Sequence, residues 1–258
     1  MTLKNRKHRE TFEVLFYHLD RNGRATIRSI MNFMQATANM HGKTLGTSLE
    51  DFSEENYTWV FSRFHIKMKK FPGHYDRIHV ATWRSRSEKC FAFREFQVFD
   101  DKGDLLGAAS ASAVLIDKTT RKPIDIPEFI QAQFAPDEGR AIDDDFLPLV
   151  GLKEEEYCKS FHVRLSDIDL NQHVNNTSYV DWIIESLPEA VLLNNTLISC
   201  EIGYKAEAFY GDTIQSFSGR DKMTPEIGGD QNSFLHRLVR DSDNKTTTIA
   251  RTVWGKEH

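Results

Sequence analysis

The sequence predicts an α+β protein made of two similar halves, each with an antiparallel sheet wrapped around one helix. Three observations lead to this prediction. The order of a short strand, a polar turn, a helix and several longer strands occurs twice along the chain. The strand-like segments follow one another through hairpin turns, as in antiparallel sheets, and each half contains one long helical pattern on which a sheet can pack.

The first half begins with residues 12–35, where an alternating run leads through a polar turn into a helical pattern. Residues 64–84 then alternate as strands do. Residues 91–116 alternate again on both sides of Asp101-Lys102-Gly103, a triplet that favours a tight hairpin turn. The first half therefore reads as a short strand, a helix and a run of longer strands.

The second half repeats this order in residues 161–184, 200–220 and 233–254. Asp20 and Asn22 align with Asp169 and Asn171 at one constant offset. A second, smaller offset aligns the later strands, because the first half has the longer connection after its helix. Matching order together with matching polar positions indicates a duplication. Residues 134–149 are acidic, contain proline and lack periodicity, which predicts a linker between domains at 1–133 and 150–258.

The amino-acid composition and the net charge limit the classes of protein to which this chain can belong. The chain has 258 residues, 40% hydrophobic and 28% charged, as expected for a globular protein with sizeable cores. Its net charge of -5 argues against nucleic acid as a partner. No apolar stretch is long enough for a membrane span, and no secretory signal is apparent. Cys90, Cys158 and Cys200 are widely spaced and show no metal-binding pattern, so we expect a reduced, cytoplasmic protein without metal or cofactor.

The segment SDIDLNQHVNN, residues 166–176, concentrates polar groups between two apolar-rich stretches. If it is extended, Asp169, Asn171 and His173 point to one side, and Ile168 and Leu170 point to the core on the other. A calcium loop is excluded, because glutamine and serine occupy the positions that need glycine and a bidentate glutamate. A capping turn with a solvated histidine remains the alternative.

The two halves differ where chemistry is expected. Arg24 occupies the position of His173 in the first half, and Phe71 occupies the position of Glu207. Glu207 is predicted to lie on a strand near the histidine, where a carboxylate is a candidate general base, although an exposed glutamate at a strand end is equally compatible with the sequence. The second half therefore carries groups that a shared turn does not require.

A helix is predicted to follow the polar segment, with Asn175 or Asn176 as its N-cap. Backbone N–H groups near Val174, Asn175 and Asn176 would then be available to an anionic or developing oxyanion centre. The apolar face of this helix is predicted to comprise Tyr179, Trp182, Ile183 and Leu187.

Residues 166–188, SDIDLNQHVNNTSYVDWIIESLP, resemble the pattern SDLDxNQHVNNxxYIxWxLExxP of the fatty acyl-ACP thioesterases of plants and bacteria. The first half also resembles this family, so the resemblance covers nearly the whole chain. It implies a tandem double hot-dog fold, in agreement with the duplication. It also implies hydrolysis of the thioester of fatty acyl-acyl carrier protein, with release of the fatty acid. Because no plastid transit peptide is apparent, a bacterial form is expected.

The resemblance also implies site residues. Asp169, Asn171 and His173 match the family's DxNxH positions, and Glu207 matches an acidic residue further on. Ala208 stands where the family pattern has a cysteine, which puts a cysteine nucleophile in doubt. Two routes remain open: a water molecule activated by Glu207 or Asp169, which we favour, or direct carboxylate attack to give an anhydride.

Acyl-tail and carrier sites are further expectations. The family places the tail in the first domain, although apolar residues at helical spacing are more often ordinary core. Acyl carrier protein is acidic, so basic strand residues could bind it, unless they only form a solvated sheet face. An acyl-CoA thioesterase and a non-catalytic acyl-binding protein remain alternatives, and the chain could be a monomer or homodimer. The candidate tail residues are Met31, Phe33, Met34, Met40 and Trp59; the candidate carrier-binding residues are Arg63, Lys67, Lys69, Arg84 and Arg86.

Overall fold

A computed structural model describes residues 7–48, 51, 55–132, 138–144, 146–222 and 231–256. The chain divides into two compact units, Met1–Asp145 and Phe146–His258. Within the described ranges, no helix combines the length and apolar character that a membrane crossing requires.

The first unit is a five-stranded antiparallel sheet with one long helix. The strands lie in the order β1 (Lys7–Glu13), β3 (Arg77–Glu88), β4 (Phe91–Asp100), β5 (Leu105–Asp117) and β2 (Tyr57–Met68), so that β1 and β2 are the outer strands of this set. The predicted hairpin turn at residues 101–103 joins β4 to β5, and Gly103 has the positive φ of 91° that favours glycine. The elements are β1 (Lys7–Glu13), α1 (Ile27–Leu45), β2 (Tyr57–Met68), β3 (Arg77–Glu88), β4 (Phe91–Asp100), β5 (Leu105–Asp117) and the short α2 (Glu128–Gln131).

Helix α1 forms where the sequence predicts it and packs on this sheet. The Thr26 side chain accepts a hydrogen bond from the Ser29 amide at its start, and Gly46 ends it in the left-handed conformation. Its buried side includes Ile30, Met31 and Met34, which are fully buried. Burial of each such side chain contributes about 1.5–3 kcal/mol to stability, so the helix is held mainly by packing.

The second unit repeats the arrangement. Its strands lie in the order β6-β8-β9-β10-β7, which matches β1-β3-β4-β5-β2 strand for strand. Each unit is a helix wrapped by an antiparallel sheet, so the predicted α+β, tandem hot-dog fold is confirmed. The elements are β6 (Tyr157–His162), α3 (Asn176–Glu185), α4 (Glu189–Asn194), β7 (Thr196–Tyr204), β8 (Thr213–Arg220), β9 (Gln231–Arg240) and β10 (Lys245–Gly255).

The duplication extends to individual hydrogen bonds. After β1, the Val14 amide donates to the Asp76 carbonyl; after β6, the Val163 amide donates to the Asp212 carbonyl, and both bonds measure 2.9 Å. Both aspartates sit at the position that the self-alignment matched. The two halves therefore share a backbone design at the end of the first strand, where the polar turn begins.

The described residues between α2 and the end of the first unit, 138–144, pack against the sheet of that unit. The Trp83 indole donates to the Gly139 carbonyl at 2.9 Å, and the Ala141 amide donates to a carboxylate oxygen of the buried Glu95 at 3.0 Å. Of the predicted linker 134–149, residues 134–137 and 145 lie outside the described residues. The exact domain boundary therefore stays a prediction.

A buried hydrogen-bond chain crosses the core of the second unit. The Trp254 indole donates to Thr252, whose hydroxyl lies 2.8 Å from His236 Nε2. The His236 Nδ1 atom lies 2.7 Å from the Ser218 hydroxyl, which bonds to Ser186, and the Ser186 hydroxyl donates to a carbonyl of α3. Because the Ser186 hydroxyl donates to the carbonyl, Ser218 must donate to Ser186 and accept from Nδ1, so Nδ1 carries a proton. Burial disfavours a second proton on His236, which leaves Nε2 to accept from Thr252.

Acid should destabilise this unit through His236. Burial lowers the pKa of His236 to about 3, whereas the unfolded chain has a pKa of 6.5. The unfolded state therefore takes up a proton first as the pH falls below 6.5, and stability should drop by up to about 1.4 kcal/mol per pH unit toward pH 3. Urea unfolding followed by tryptophan fluorescence between pH 8 and pH 4.5 measures this slope. His236→Asn, which cannot titrate, should be less stable at pH 8 and show a shallower slope; equal slopes would contradict the assignment.

Candidate active site

The polar segment after β6 is a tight turn, so the predicted extended conformation is wrong. The Asp169 amide donates to the His173 carbonyl at 3.0 Å, and the Asp169 carboxylate accepts the Asn171 amide at 2.8 Å. Gln172 has a positive φ of 65°. Leu170, predicted to enter the core, is 97% exposed at the tip of this turn. These two hydrogen bonds of Asp169 join residues only two and four positions apart, so the chain reverses direction in this segment instead of running extended.

The first half has the same turn with different side chains. The Asp20 amide donates to the Arg24 carbonyl at 2.7 Å, and the Asp20 carboxylate accepts the Asn22 amide at 2.8 Å. Gly23 takes the positive φ there, at 75°. Because the same turn forms with an arginine, Arg24, at the equivalent position, the turn geometry does not require a histidine at position 173.

Glu207 lies in the loop after β7, not on the predicted strand. Strand β7 ends at Tyr204, and the Lys205 and Ala206 amides then both donate to the Thr247 carbonyl. Because two amides share one carbonyl, the regular hydrogen-bond pairing of β7 with β10 ends here. Glu207 therefore lies outside the sheet. The Glu207 side chain is half-buried.

The turn and the loop bring two carboxylates to one imidazole. The His173 Nε2 atom lies 3.7 Å from Glu207 Oε1, and its Nδ1 atom lies 3.8 Å from Asp169 Oδ1. The exposed fractions are 23% for His173, 23% for Asp169 and 30% for Glu207, so water reaches all three side chains. Both distances exceed a direct hydrogen bond, but a single water molecule can contact imidazole and carboxylate together. Asn171 is exposed on the turn, and its side-chain amide has no hydrogen-bond partner among the described residues.

The peptide group after Glu207 is held from two directions, which the sequence interpretation did not foresee. The Glu207 carbonyl accepts a hydrogen bond from Arg240 Nη1 at 2.8 Å, and the Ala208 amide donates to the Tyr179 hydroxyl at 3.0 Å. The Ala208 carbonyl in turn accepts the Val174 amide at 2.9 Å. The loop with Glu207 is therefore bonded to the segment that follows His173.

The start of α3 offers fewer free amides than predicted. Asn175 is the N-cap, and its side chain accepts the Thr177 amide. The Val174 amide donates to Ala208, and the Asn175 amide donates to the Asp167 carbonyl at 2.8 Å. Of the three predicted oxyanion donors, the Asn176 amide is the one without an acceptor among the described residues.

The predicted acyl-tail residues lie around α1 and β2. Met31, Phe33 and Met34 are buried on the helix, and Met40 is exposed near its end. Trp59 is half-buried and packs on a small apolar cluster in the same unit. These positions fit an ordinary core as well as a tail site, so the tail assignment stays a prediction.

Only some of the residues predicted to bind the carrier are exposed. Lys67, Lys69 and Arg86 are exposed. Arg84 is buried, donates to the Thr47 hydroxyl at 2.6 Å, and has a pKa lowered to about 10 by burial. Arg63 is largely buried beside Asp144, 3.6 Å away. These two arginines pack against neighbouring residues rather than facing solvent, so they cannot form the predicted patch.

The cysteines do not supply a nucleophile near this site. Burial raises the pKa of the Cys200 thiol to about 12, so the reactive thiolate is rare at neutral pH. Cys158 is exposed on β6. Ala208 is fully buried, and its methyl side chain cannot act as a nucleophile. The described residues around His173 therefore support a reaction catalysed by carboxylates and an imidazole.

Comparison with known proteins connects this site to a family. The models of the acyl-ACP thioesterase N-terminal domain and C-terminal domain match residues 5–134 and 151–256. A chloroplastic acyl-[acyl-carrier-protein] hydrolase of Cuphea viscosissima is 30% identical over 259 residues, which cover 95% of this chain and 62% of that protein. A chloroplastic palmitoyl-acyl carrier protein thioesterase of Arabidopsis thaliana is 31% identical over 265 residues, or 96% of this chain and 64% of that protein. The chain spans less than two thirds of the length of these two curated relatives.

Two solved structures share the arrangement over their whole length. An acyl-ACP thioesterase from Bacteroides thetaiotaomicron is 25% identical with a TM-score of 0.84, covering 98% of this chain and 100% of that one. The 12:0-ACP thioesterase from Umbellularia californica has the same identity and TM-score, and covers 100% of both chains. Two tandem domain models, matched in order across nearly the whole sequence, show that this chain belongs to the acyl-ACP thioesterase family.

Proposed function

We propose that this protein hydrolyses the thioester of fatty acyl-acyl carrier protein and releases the free fatty acid. The observation that carries this proposal is the pair of carboxylates that flank His173, at 3.8 Å for Asp169 and 3.7 Å for Glu207. This arrangement occurs in the half that carries the family's DxNxH pattern. The relatives named above act on acyl groups carried by acyl carrier protein, which supports the same substrate class.

Water is the nucleophile in the proposed mechanism. A water molecule between His173 and Glu207 would lose its proton to the Glu207 carboxylate or to the imidazole as its oxygen attacks the thioester carbonyl. Asp169 would orient the imidazole from the Nδ1 side, and Asn171 would contact the substrate at the exposed tip of the turn. The Asn176 amide would donate to the oxyanion of the tetrahedral intermediate. Collapse of that intermediate expels the carrier thiolate, which takes up a proton.

The other parts of the proposal concern the substrate. Met31, Phe33, Met34 and Trp59 would line the acyl-tail site in the first unit, and the exposed Lys67, Lys69 and Arg86 would attract the acidic carrier. The protein would act in the cytoplasm, without a cofactor, as a monomer or homodimer.

Thiol release tests the function directly. The purified protein should release free thiol from a series of acyl-ACP substrates faster than from the matching acyl-CoA substrates. Faster turnover of the acyl-CoA series would make the protein an acyl-CoA thioesterase. Binding without thiol release from either series would make it a non-catalytic acyl-binding protein. The series also reports the preferred chain length.

The duplicated turn provides a matched pair of variants. Asp169→Asn should lower kcat about 10- to 100-fold, because an amide cannot supply the negative charge beside the imidazole. Asp20→Asn makes the same change in the equivalent turn of the first half, which has no histidine, and should leave kcat within about twofold. Both variants are measured by thiol release, with circular dichroism to check folding. Equal losses in the two variants would mean that the aspartate serves only the turn.

A further inference from the structure

The peptide group between Glu207 and Ala208 is bonded at both of its polar atoms. Arg240 Nη1 donates to its carbonyl oxygen, and its N–H donates to the Tyr179 hydroxyl. Tyr179 is buried on α3, and Arg240 is the last residue of β9. Two elements that are distant in sequence therefore meet on the peptide plane that directly follows the Glu207 Cα atom.

The first half shows that the fold does not need these bonds. Pro72 aligns with Ala208 and has no N–H to donate. Ile30 aligns with Tyr179, four residues after the N-cap in both helices, and has no hydroxyl. The strand partner of Ile78 is Asp100, as Arg240 is the partner of the equivalent isoleucine of β8, and aspartate cannot donate to a carbonyl.

The bond shared by both loops is a different one. The Ala25 amide donates to the Pro72 carbonyl at 2.8 Å, as the Val174 amide donates to the Ala208 carbonyl at 2.9 Å. The loop is thus anchored in both halves. The two additional bonds occur only where the loop carries a glutamate beside a histidine.

From this difference we infer that Arg240 and Tyr179 are positioning residues that orient Glu207 for the reaction. The inference rests on the proposed function, and it assigns the two residues no contact with substrate. Fixing this peptide plane places the Glu207 Cα atom and restricts rotation of the backbone on one side of it, which limits where the Glu207 carboxylate can lie relative to His173. A displacement of about 1 Å at such a site can cost about 100-fold in rate.

Arg240 is itself held in one orientation. Its Nε and Nη2 atoms donate to the two carboxylate oxygens of Asp243, at 3.0 Å and 2.6 Å. Asp212 lies 3.9 Å from Nη1 on the other side and accepts the Phe209 amide at 2.8 Å. The planar guanidinium therefore presents Nη1 to the Glu207 carbonyl with little freedom, a geometry that the single ammonium group of lysine cannot reproduce.

Substitution of Arg240 tests the inference. Arg240→Gln should lower kcat for acyl-ACP hydrolysis about tenfold or more, with KM changed less than about twofold, because the carboxylate is displaced while substrate contacts remain. Arg240→Lys, which keeps one donor, should recover part of the loss. The control is Arg237→Gln on the same strand, where the arginine pairs with Glu155, and it should behave like the wild type. An Arg240→Gln enzyme with wild-type kcat would overturn the inference.

A double substitution separates this inference from the proposed function. If Arg240 acts through Glu207, Arg240→Gln should cause no further loss of kcat in a Glu207→Gln background. A further tenfold loss there would show that Arg240 acts by another route and overturn the inference. Normal turnover in Glu207→Gln alone would instead overturn the proposed role of Glu207.

Tyr179→Phe provides a second measurement if Arg240→Gln folds poorly. It removes the acceptor of the Ala208 amide and keeps the ring in the core. We expect a kcat loss of about tenfold that is also absent in the Glu207→Gln background. Full activity in Tyr179→Phe would remove Tyr179 from the inference.

Discussion

Replacing His173 with alanine is expected to lower kcat for thioester hydrolysis by about 1,000-fold. The imidazole lies between two carboxylates at 3.7 Å and 3.8 Å, so its removal leaves no group in the described site that can pass a proton between them. General acid–base groups typically contribute 100- to 10,000-fold, which sets the scale of the loss. Stability should change little, because the same turn forms around arginine in the first half. Thiol release under substrate saturation measures the effect.

His162→Ala is the matched control for this experiment. His162 is an exposed histidine at the end of β6 in the same unit, and its loss should leave kcat within about twofold of the wild type. Thermal unfolding should give the same midpoint for both variants within a few degrees. Near-normal turnover in His173→Ala would refute the proposed site.

The second large effect is expected for Glu207→Gln, which should lower kcat by at least about 100-fold. Glutamine preserves the size of the side chain and its place beside His173, but it cannot accept a proton from water. Glu185→Gln is the control, because Glu185 lies on α3 and pairs with Lys159 on the surface. A Glu207→Gln kcat close to that of this control would leave Asp169 or His173 as the base.

Heavy-oxygen water distinguishes the two chemical routes at Glu207. If water attacks the thioester, one turnover in this solvent places the label in the fatty acid and none in the protein. If the Glu207 carboxylate attacks first, water that opens the anhydride at the glutamyl carbonyl leaves label in Glu207. Label found by mass spectrometry in the peptide that contains residue 207 after a single turnover would establish the anhydride route.

The order of elements could be predicted because it depends on local patterns. Alternation and helical periodicity survive in both halves, and Asp101-Lys102-Gly103 marks its own hairpin. The aligned aspartates, Asp20 with Asp169, could be predicted for the same reason. Their turns depend on bonds between residues only two to four positions apart.

The errors came from contacts that no local pattern reveals. Glu207 does not lie on its predicted strand, because the two amides that follow β7 both donate to the Thr247 carbonyl on β10 and end the regular pairing. Arg84 was expected at the surface. Consecutive residues of β3 are buried around it, so Arg84 lies in the core instead. Arg240 was missed because its pairing with the loop depends on the register of β8 and β9. The difference between Tyr179 and Ile30 at equivalent helix positions is visible in the sequence.

The two equivalent turns also bear on how such a protein can change over generations. In an assembly of identical subunits, one mutation in the gene alters every copy of a site at once. Here each turn has its own codons, so the first could exchange its histidine position for arginine while the second kept its imidazole. A single fused gene thereby lets one copy change its side chains while the other keeps its imidazole, without either losing the backbone bonds that both contain.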